Sequence, residues 1–175
     1  NIDYLALGHI HKYEREQLDD RGIYVYPGCL EGRGFDETGK KGFVLLDIGE
    51  DNKIVDTFVP FAKREIHRLE VEVSPSDDMK DVIDNVHRTI DDIPNKDLVE
   101  VVLVGKTNMN ELVDIDIRRI KREFDDKFYF FKLKDNTTVK IDYASFANDK
   151  SLKGEFIRLL EKQDISDEDK SLIVD

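Results

Sequence analysis

Leu98-Val99-Glu100-Val101-Val102-Leu103-Val104-Gly105 is apolar at almost every position. A run of this kind reads as a strand in the middle of a sheet, and its neighbours must supply the rest of that sheet. Before it, Arg68-Leu69-Glu70-Val71-Glu72-Val73 alternates polar and apolar, as a half-exposed strand does. Ser74-Pro75-Ser76-Asp77 stops that strand and offers helix N-cap side chains. Val82, Ile83, Val86 and Ile90 then recur at helical spacing, and Pro94-Asn95 ends the helix. After the central run, Asn108 or Asn110 can cap a second helix whose buried stripe is Val113, Ile117, Ile120 and Phe124. Phe128-Tyr129-Phe130-Phe131-Lys132-Leu133-Lys134 reads as a third strand, and Thr138-Val139-Lys140-Ile141-Asp142-Tyr143 as an optional fourth. This is the pattern of a two-layer β-α-β-α-β unit with helices on one face of a sheet.

The first 62 residues follow a different grammar, almost all strand and turn. Residues 2 to 7 form a short apolar strand ending at Gly8. Residues 12 to 22 are charged and polar, with a turn at Asp19-Asp20-Arg21-Gly22. Ile23-Tyr24-Val25-Tyr26 is a β-branched and aromatic strand stopped by Pro27-Gly28. A loop with three glycines (Gly32, Gly34, Gly39) leads to two further strands, residues 42 to 48 and 53 to 61, which read as a hairpin. It lacks the Gly-Lys-Ser/Thr ending of a phosphate-binding loop. At the other end, a helix places Leu152, Phe156, Leu159 and Leu160 on one side, ahead of an acidic tail. The fold class expected is α+β.

Charge narrows the function. The net charge is -12, with 39 acidic and 27 basic residues, so a surface that grips nucleic acid mainly by phosphate neutralisation is not expected. Arg118-Arg119, Lys121-Arg122, Lys132 and Lys134 read as solvated faces, and the aromatic run at 128 to 131 as alternate residues facing a core. No apolar run approaches the roughly 18 residues needed to span a bilayer, so no membrane association is expected. The single cysteine, Cys29, cannot form an internal disulfide and reads as a small residue in a turn or core, which makes a reducing, cytoplasmic setting the expectation. The chain opens on Asn1 with strand-like sequence at once, and reads as a fragment beginning inside a fold.

Gly8-His9-Ile10-His11 is the sharpest chemical feature. Residues two apart in extended chain point the same way, so both imidazoles can approach one metal centre, and Gly8 lets backbone crowd the site. Neutral imidazole suits zinc, manganese or iron. Asp36-Glu37 could line the same cleft but reads as a solvated loop face. His67 and His87 sit in strand and helix patterns and read as surface residues.

Asp3-Tyr4-Leu5-Ala6-Leu7-Gly8-His9-Ile10-His11 closely resembles the final motif of the calcineurin-like metallophosphoesterases. Tyr24-Val25-Tyr26-Pro27-Gly28, then Gly34-Phe35-Asp36-Glu37 and Gly39-Lys40-Lys41-Gly42-Phe43, resembles the SbcD- and YhaO-like branch of bacterial DNA-repair exonucleases. The resemblance is strong over residues 3 to 48 and architectural beyond. It implies that His9 and His11 are ligands of a dinuclear centre, typically of manganese. It implies the C-terminal portion of a phosphoesterase β-sandwich at 1-62, a DNA-presenting capping domain at 66-146, and a C-terminal helix with an acidic tail at 147-175. It implies DNA as substrate, an SbcC-type coiled-coil ATPase as partner docking on the last helix, and a homodimer formed through a part N-terminal to Asn1.

The departures are equally informative. The family's Asp-x-His, Gly-Asp, Gly-Asn-His and isolated His motifs do not occur in order in this chain, and its catalytic histidine and bridging aspartate are expected upstream. Two-metal hydrolysis needs a bridging carboxylate and ligands on both ions. Alone, the chain is therefore expected to be inactive and to bind metal weakly. Two alternatives stand beside this reading: a non-catalytic cap or adaptor that binds DNA or the ATPase, and a metallophosphoesterase with a non-DNA substrate.

Overall fold

A computed structural model of the chain describes residues 2–108, 117–140, 150–166, 169, 170 and 173. The N-terminal part is strand and loop. β1 (Tyr4–Ala6) pairs in parallel with β3 (Ile23–Tyr26), and β2 (Glu14–Gln17) pairs antiparallel with β3 on its other side. β2 is a strand that the charged and polar composition of residues 12 to 22 does not announce. Its Glu-Arg-Glu-Gln sequence carries no apolar alternation because it is a sheet edge, and Arg15 finds a partner in Asp56 at 2.8 Å. β4 (Gly42–Ile48) and β5 (Ile54–Pro60) form the expected hairpin.

The C-terminal sheet is built on β7 (Leu98–Asn108), with β6 (Ile66–Val73) and β8 (Phe130–Asp135) on either side, both parallel to it. The central place read from the apolar run is the one it holds. Val99, Val101 and Leu103 face α1 (Met79–Ile90) and α2 (Ile117–Phe124), joined in one core with Val71, Val73, Val82, Val86, Ile90, Ile120, Phe124 and Phe131. Both helices cover the same sheet face, so the α+β organisation holds. α1 starts one residue later than the Ser74–Asp77 segment suggests: Asp78 is the N-cap, and Asp81 completes a reciprocal capping box with it. β9 (Thr138–Lys140) continues β8 along β7 in the same register rather than adding a fourth strand position. The break falls opposite Gly105, whose backbone is at φ +107; a Cβ there would lie 2.4 Å from the Val73 carbonyl oxygen. Val113, Asn110 and residues 141 to 143 lie outside the described residues.

The opposite sheet face carries a buried carboxylate. Glu100 is 1% exposed and meets Arg68 at 3.2 Å, Lys132 at 3.1 Å and Lys134 at 3.0 Å. The two lysines are thus strand residues committed to Glu100, not part of a solvated helix face. The last helix, α3 (Leu152–Glu161), buries Gly154, Ile157 and Leu160; Leu152, Phe156 and Leu159 are exposed. Of the stripe read from sequence only Leu160 is inside, because Ile157 and the small Gly154 define the packed side. Among the described residues no helix is long and apolar enough to cross a membrane.

Phe124→Ala should lower the unfolding free energy by about 3–5 kcal/mol, while Leu159→Ala on the exposed side of α3 should change it by under about 0.5 kcal/mol. Urea denaturation reads both; a loss below about 1 kcal/mol for Phe124→Ala would contradict its burial.

Candidate functional site

The site is built where β1 ends. Leu7 N–H donates to the Val25 carbonyl at 2.9 Å, the last tie of this segment to the sheet. The chain then turns rather than running extended, because His9 adopts a left-handed backbone at φ 77. The period-two argument for His9 and His11 therefore does not describe this segment. Nor does Gly8 crowd anything: a Cβ at Gly8 would meet no atom within 4 Å. The glycine that permits close approach is Gly28, at φ +80, where a Cβ would lie 3.1 Å from both the His11 carbonyl oxygen and the Tyr13 nitrogen.

That approach brings the Cys29–Gly42 loop against His11. His11 Nδ1 lies 2.6 Å from Glu37 Oε1. Glu37 Oε2 accepts the Arg33 backbone N–H at 3.0 Å. The Cys29 thiol is 3.5 Å from the His11 carbonyl oxygen and 3.8 Å from Glu37 Oε2. Lys41 is 5% exposed and donates from Nζ to the His11 carbonyl at 3.0 Å. The Arg33 guanidinium lies against the imidazole, 2.6 Å from Nδ1 and 3.0 Å from Nε2. A cavity of about 500 Å³ opens here, walled by His9, His11, Asp36, Glu37, Thr38 and Lys41 among others.

Both histidines read from sequence line this cavity, as do Asp36 and Glu37, so the view of that acidic pair as a solvated loop face is corrected for Glu37. Cys29 is half-buried in the irregular segment after β3, in neither a turn nor the core, and adds a sulfur to the site. His11, Cys29 and Glu37 place one donor atom each within 4.8 Å of one another; His9, which is exposed, lines the cavity without joining that trio. Imidazole, thiol and carboxylate make a donor set suited to a borderline divalent ion such as zinc, and imidazole with carboxylate also suits manganese. The residues present therefore fit a divalent cation. Arg33 and Lys41 were not legible as site residues. The only sequence hint for Lys41 is its place between two glycines, and for Arg33 its spacing of four from Glu37. His67 and His87 stand apart: His67 Nε2 pairs with Asp97 at 3.1 Å, half-buried, and His87 packs edge-on against Phe124.

The hydrogen bond to His11, and after it the bond from the Arg33 backbone, hold the Glu37 carboxyl down at about 2. A depressed carboxyl favours the folded state above its ordinary range and loses that contribution as pH falls through the folded value. In the metal-free protein, His11→Ala should raise the Glu37 carboxyl from about 2 toward 4.5, read by carbon-13 NMR. No movement would remove His11 as the cause.

Comparison with known proteins finds a stretch of this chain similar to a metallophosphoesterase. The particular relative is the uncharacterized metallophosphoesterase YhaO of Bacillus subtilis (strain 168), 40% identical over 47 residues. That stretch is 27% of this chain and 11% of the relative's length. No family model matches the chain.

Proposed function

We propose that this chain supplies the last metal-ligand motif and the adjoining cap of a metal-dependent phosphodiesterase acting on DNA in repair. The observation that carries the reading is the convergence of His9, His11, Asp36 and Glu37 on one cavity at the end of β1. His9 and His11 would hold a divalent ion, manganese being the expected one. When bound, the ion supplies a Lewis acid and a positive charge for oxygens that gain negative charge during phosphoester cleavage. The protein's own residues fix the motif. Glu37 orients the His11 ring through Nδ1, as carboxylates behind ligating imidazoles commonly do. Lys41 anchors the His11 backbone from below, and the Arg33 N–H anchors Glu37.

His9 and His11 are too few ligands for two ions, and Cys29 and Glu37 are the donors that gather within 4.8 Å of His11 among the described residues. The bridging carboxylate and the catalytic histidine are assigned to sequence outside these 175 residues. The β4–β5 hairpin supports this. Phe43, Leu45, Ile48 and Val55 are all exposed on it, with Phe61 just beyond β5, and a two-stranded hairpin is marginal unless another layer covers it. The remaining strands of a phosphoesterase sandwich are the cover proposed. Tyr129 and Phe130, 62% and 49% exposed, suit base stacking at the cap. Leu152, Phe156 and Leu159 offer the apolar side of α3 to an SbcC-type ATPase.

A second reading, a binding module without chemistry, draws on one observation: the Arg33 guanidinium already sits where a cation would meet the His11 ring. Activity separates the two. In a protein joining this chain to the sequence encoded immediately upstream, manganese-dependent hydrolysis of a DNA oligonucleotide should fall at least about 100-fold in His9→Ala and His11→Ala. The 175-residue chain alone should give no turnover. Wild-type rates in both variants would overturn the metal reading, and turnover by the chain alone would overturn the shared-ligand part of it.

A further inference from the structure

A second cavity, of about 250 Å³, adjoins the first. It lies between the end of the β4–β5 hairpin and the loop that precedes β7, and Lys41 lines both cavities. Its charged walls are Lys40, Lys41, Arg64, Lys96, Glu65 and Asp97. Four cations against two acids is a local excess of positive charge in a chain whose net charge is -12.

The two acids, Glu65 and Asp97, offset part of that charge and leave the four cations in excess. Asp97 is 2% exposed and its oxygens are committed: Oδ1 accepts the Glu65 backbone N–H at 3.0 Å and Oδ2 meets His67 Nε2 at 3.1 Å. Arg64 is the more telling group. Its guanidinium carbon sits 3.5 Å from the centroid of the Tyr129 ring, which holds the plane in one orientation. Its Nε is buried and has no hydrogen-bond partner. A buried N–H without an acceptor is uncommon in folded proteins, and here it leaves the guanidinium charge without a protein acceptor at that edge. Arginine held flat by a ring, with lysine ammonium groups around it, is the arrangement that takes the oxygens of a tetrahedral anion.

We propose that this cavity is an oxyanion site that binds a phosphate group, with Arg64 as the directional donor and Lys40 and Lys96 as mobile charges. Lys41 ties it to the His9–His11 cavity, so a phosphoester bound at the first would place a neighbouring phosphate at the second. Naming phosphate as the anion rests on the phosphoesterase reading; the charge and the unpaired donor do not.

The test is a nitrogen-15 NMR titration of the 175-residue chain with sodium pyrophosphate, without any divalent metal, against sodium chloride at matched ionic strength. Pyrophosphate should shift the amides of Lys40, Lys41, Arg64 and Lys96 and leave those of α1 in place. Lys96→Glu, in a loop outside the core, should weaken the dissociation constant at least tenfold. Arg64→Gln should do the same, with Tyr129 amide shifts reporting whether the ring contact alone was lost. Shifts that chloride reproduces, or that Lys96→Glu leaves unchanged, would overturn the site. A 5′-phosphorylated tetranucleotide distinguishes the source: tighter binding than pyrophosphate assigns the phosphate to a polymer, and equal binding to a small phosphoester, both through this site. Because metal is left out, a negative result here leaves the His9–His11 reading intact, and failure of metal binding leaves this one intact.

Discussion

The 2.6 Å contact between the His11 imidazole and the Glu37 carboxylate joins segments 26 residues apart. Without it the glycine loop would have little reason to return to the end of β1. Three other features serve the same closure. Gly28 lets the backbone pass close to His11, Lys41 holds the His11 carbonyl, and the Arg33 N–H holds the far oxygen of Glu37. The result is a carboxylate kept ionised beside an imidazole that lines a cavity. That is the electrostatic setting in which a divalent cation binds, and a guanidinium stands against the ring in its place.

The C-terminal sheet solves a different problem. β7 is buried from Val99 to Leu103, so a charge at Glu100 must be compensated. Burial pushes the Glu100 carboxyl up, but Lys134 and Lys132 outweigh it and bring it below the usual range. The contribution of this cluster to stability is thus present at neutral pH and lost in acid. A carboxylate bound by three cations from β6 and β8 also pins the pairing of those strands with β7, since a slip of one residue would turn Glu100 into the helical core.

Much of this was legible in the residues. The apolar run at 98 to 105, the helical spacing of Val82, Val86 and Ile90, and the β4–β5 hairpin follow from periodicity, because burial on a known face leaves a periodic mark. What escaped has a physical reason in each case. β2 is an edge strand with no buried face to mark it. Ile157 and Gly154 hid the packed side of α3, because a glycine does not register as apolar surface. At the site, composition and motif identified His9 and His11, but the partnership with Glu37, Cys29, Arg33 and Lys41 is made by a loop whose path depends on Gly28, and loop paths carry no period. The left-handed turn at His9 likewise has no signature in a histidine.

The account depends most on His9 and His11 acting on one metal ion. Imidazole resonances of the four histidines, followed while manganese is added at a tenth of the protein concentration, test this directly, since a paramagnetic ion broadens the groups nearest to it. The account predicts that His9 and His11 broaden together and first, with His67 and His87 sharp. Uniform broadening of all four, or loss of His11 while His9 stays sharp, would contradict it.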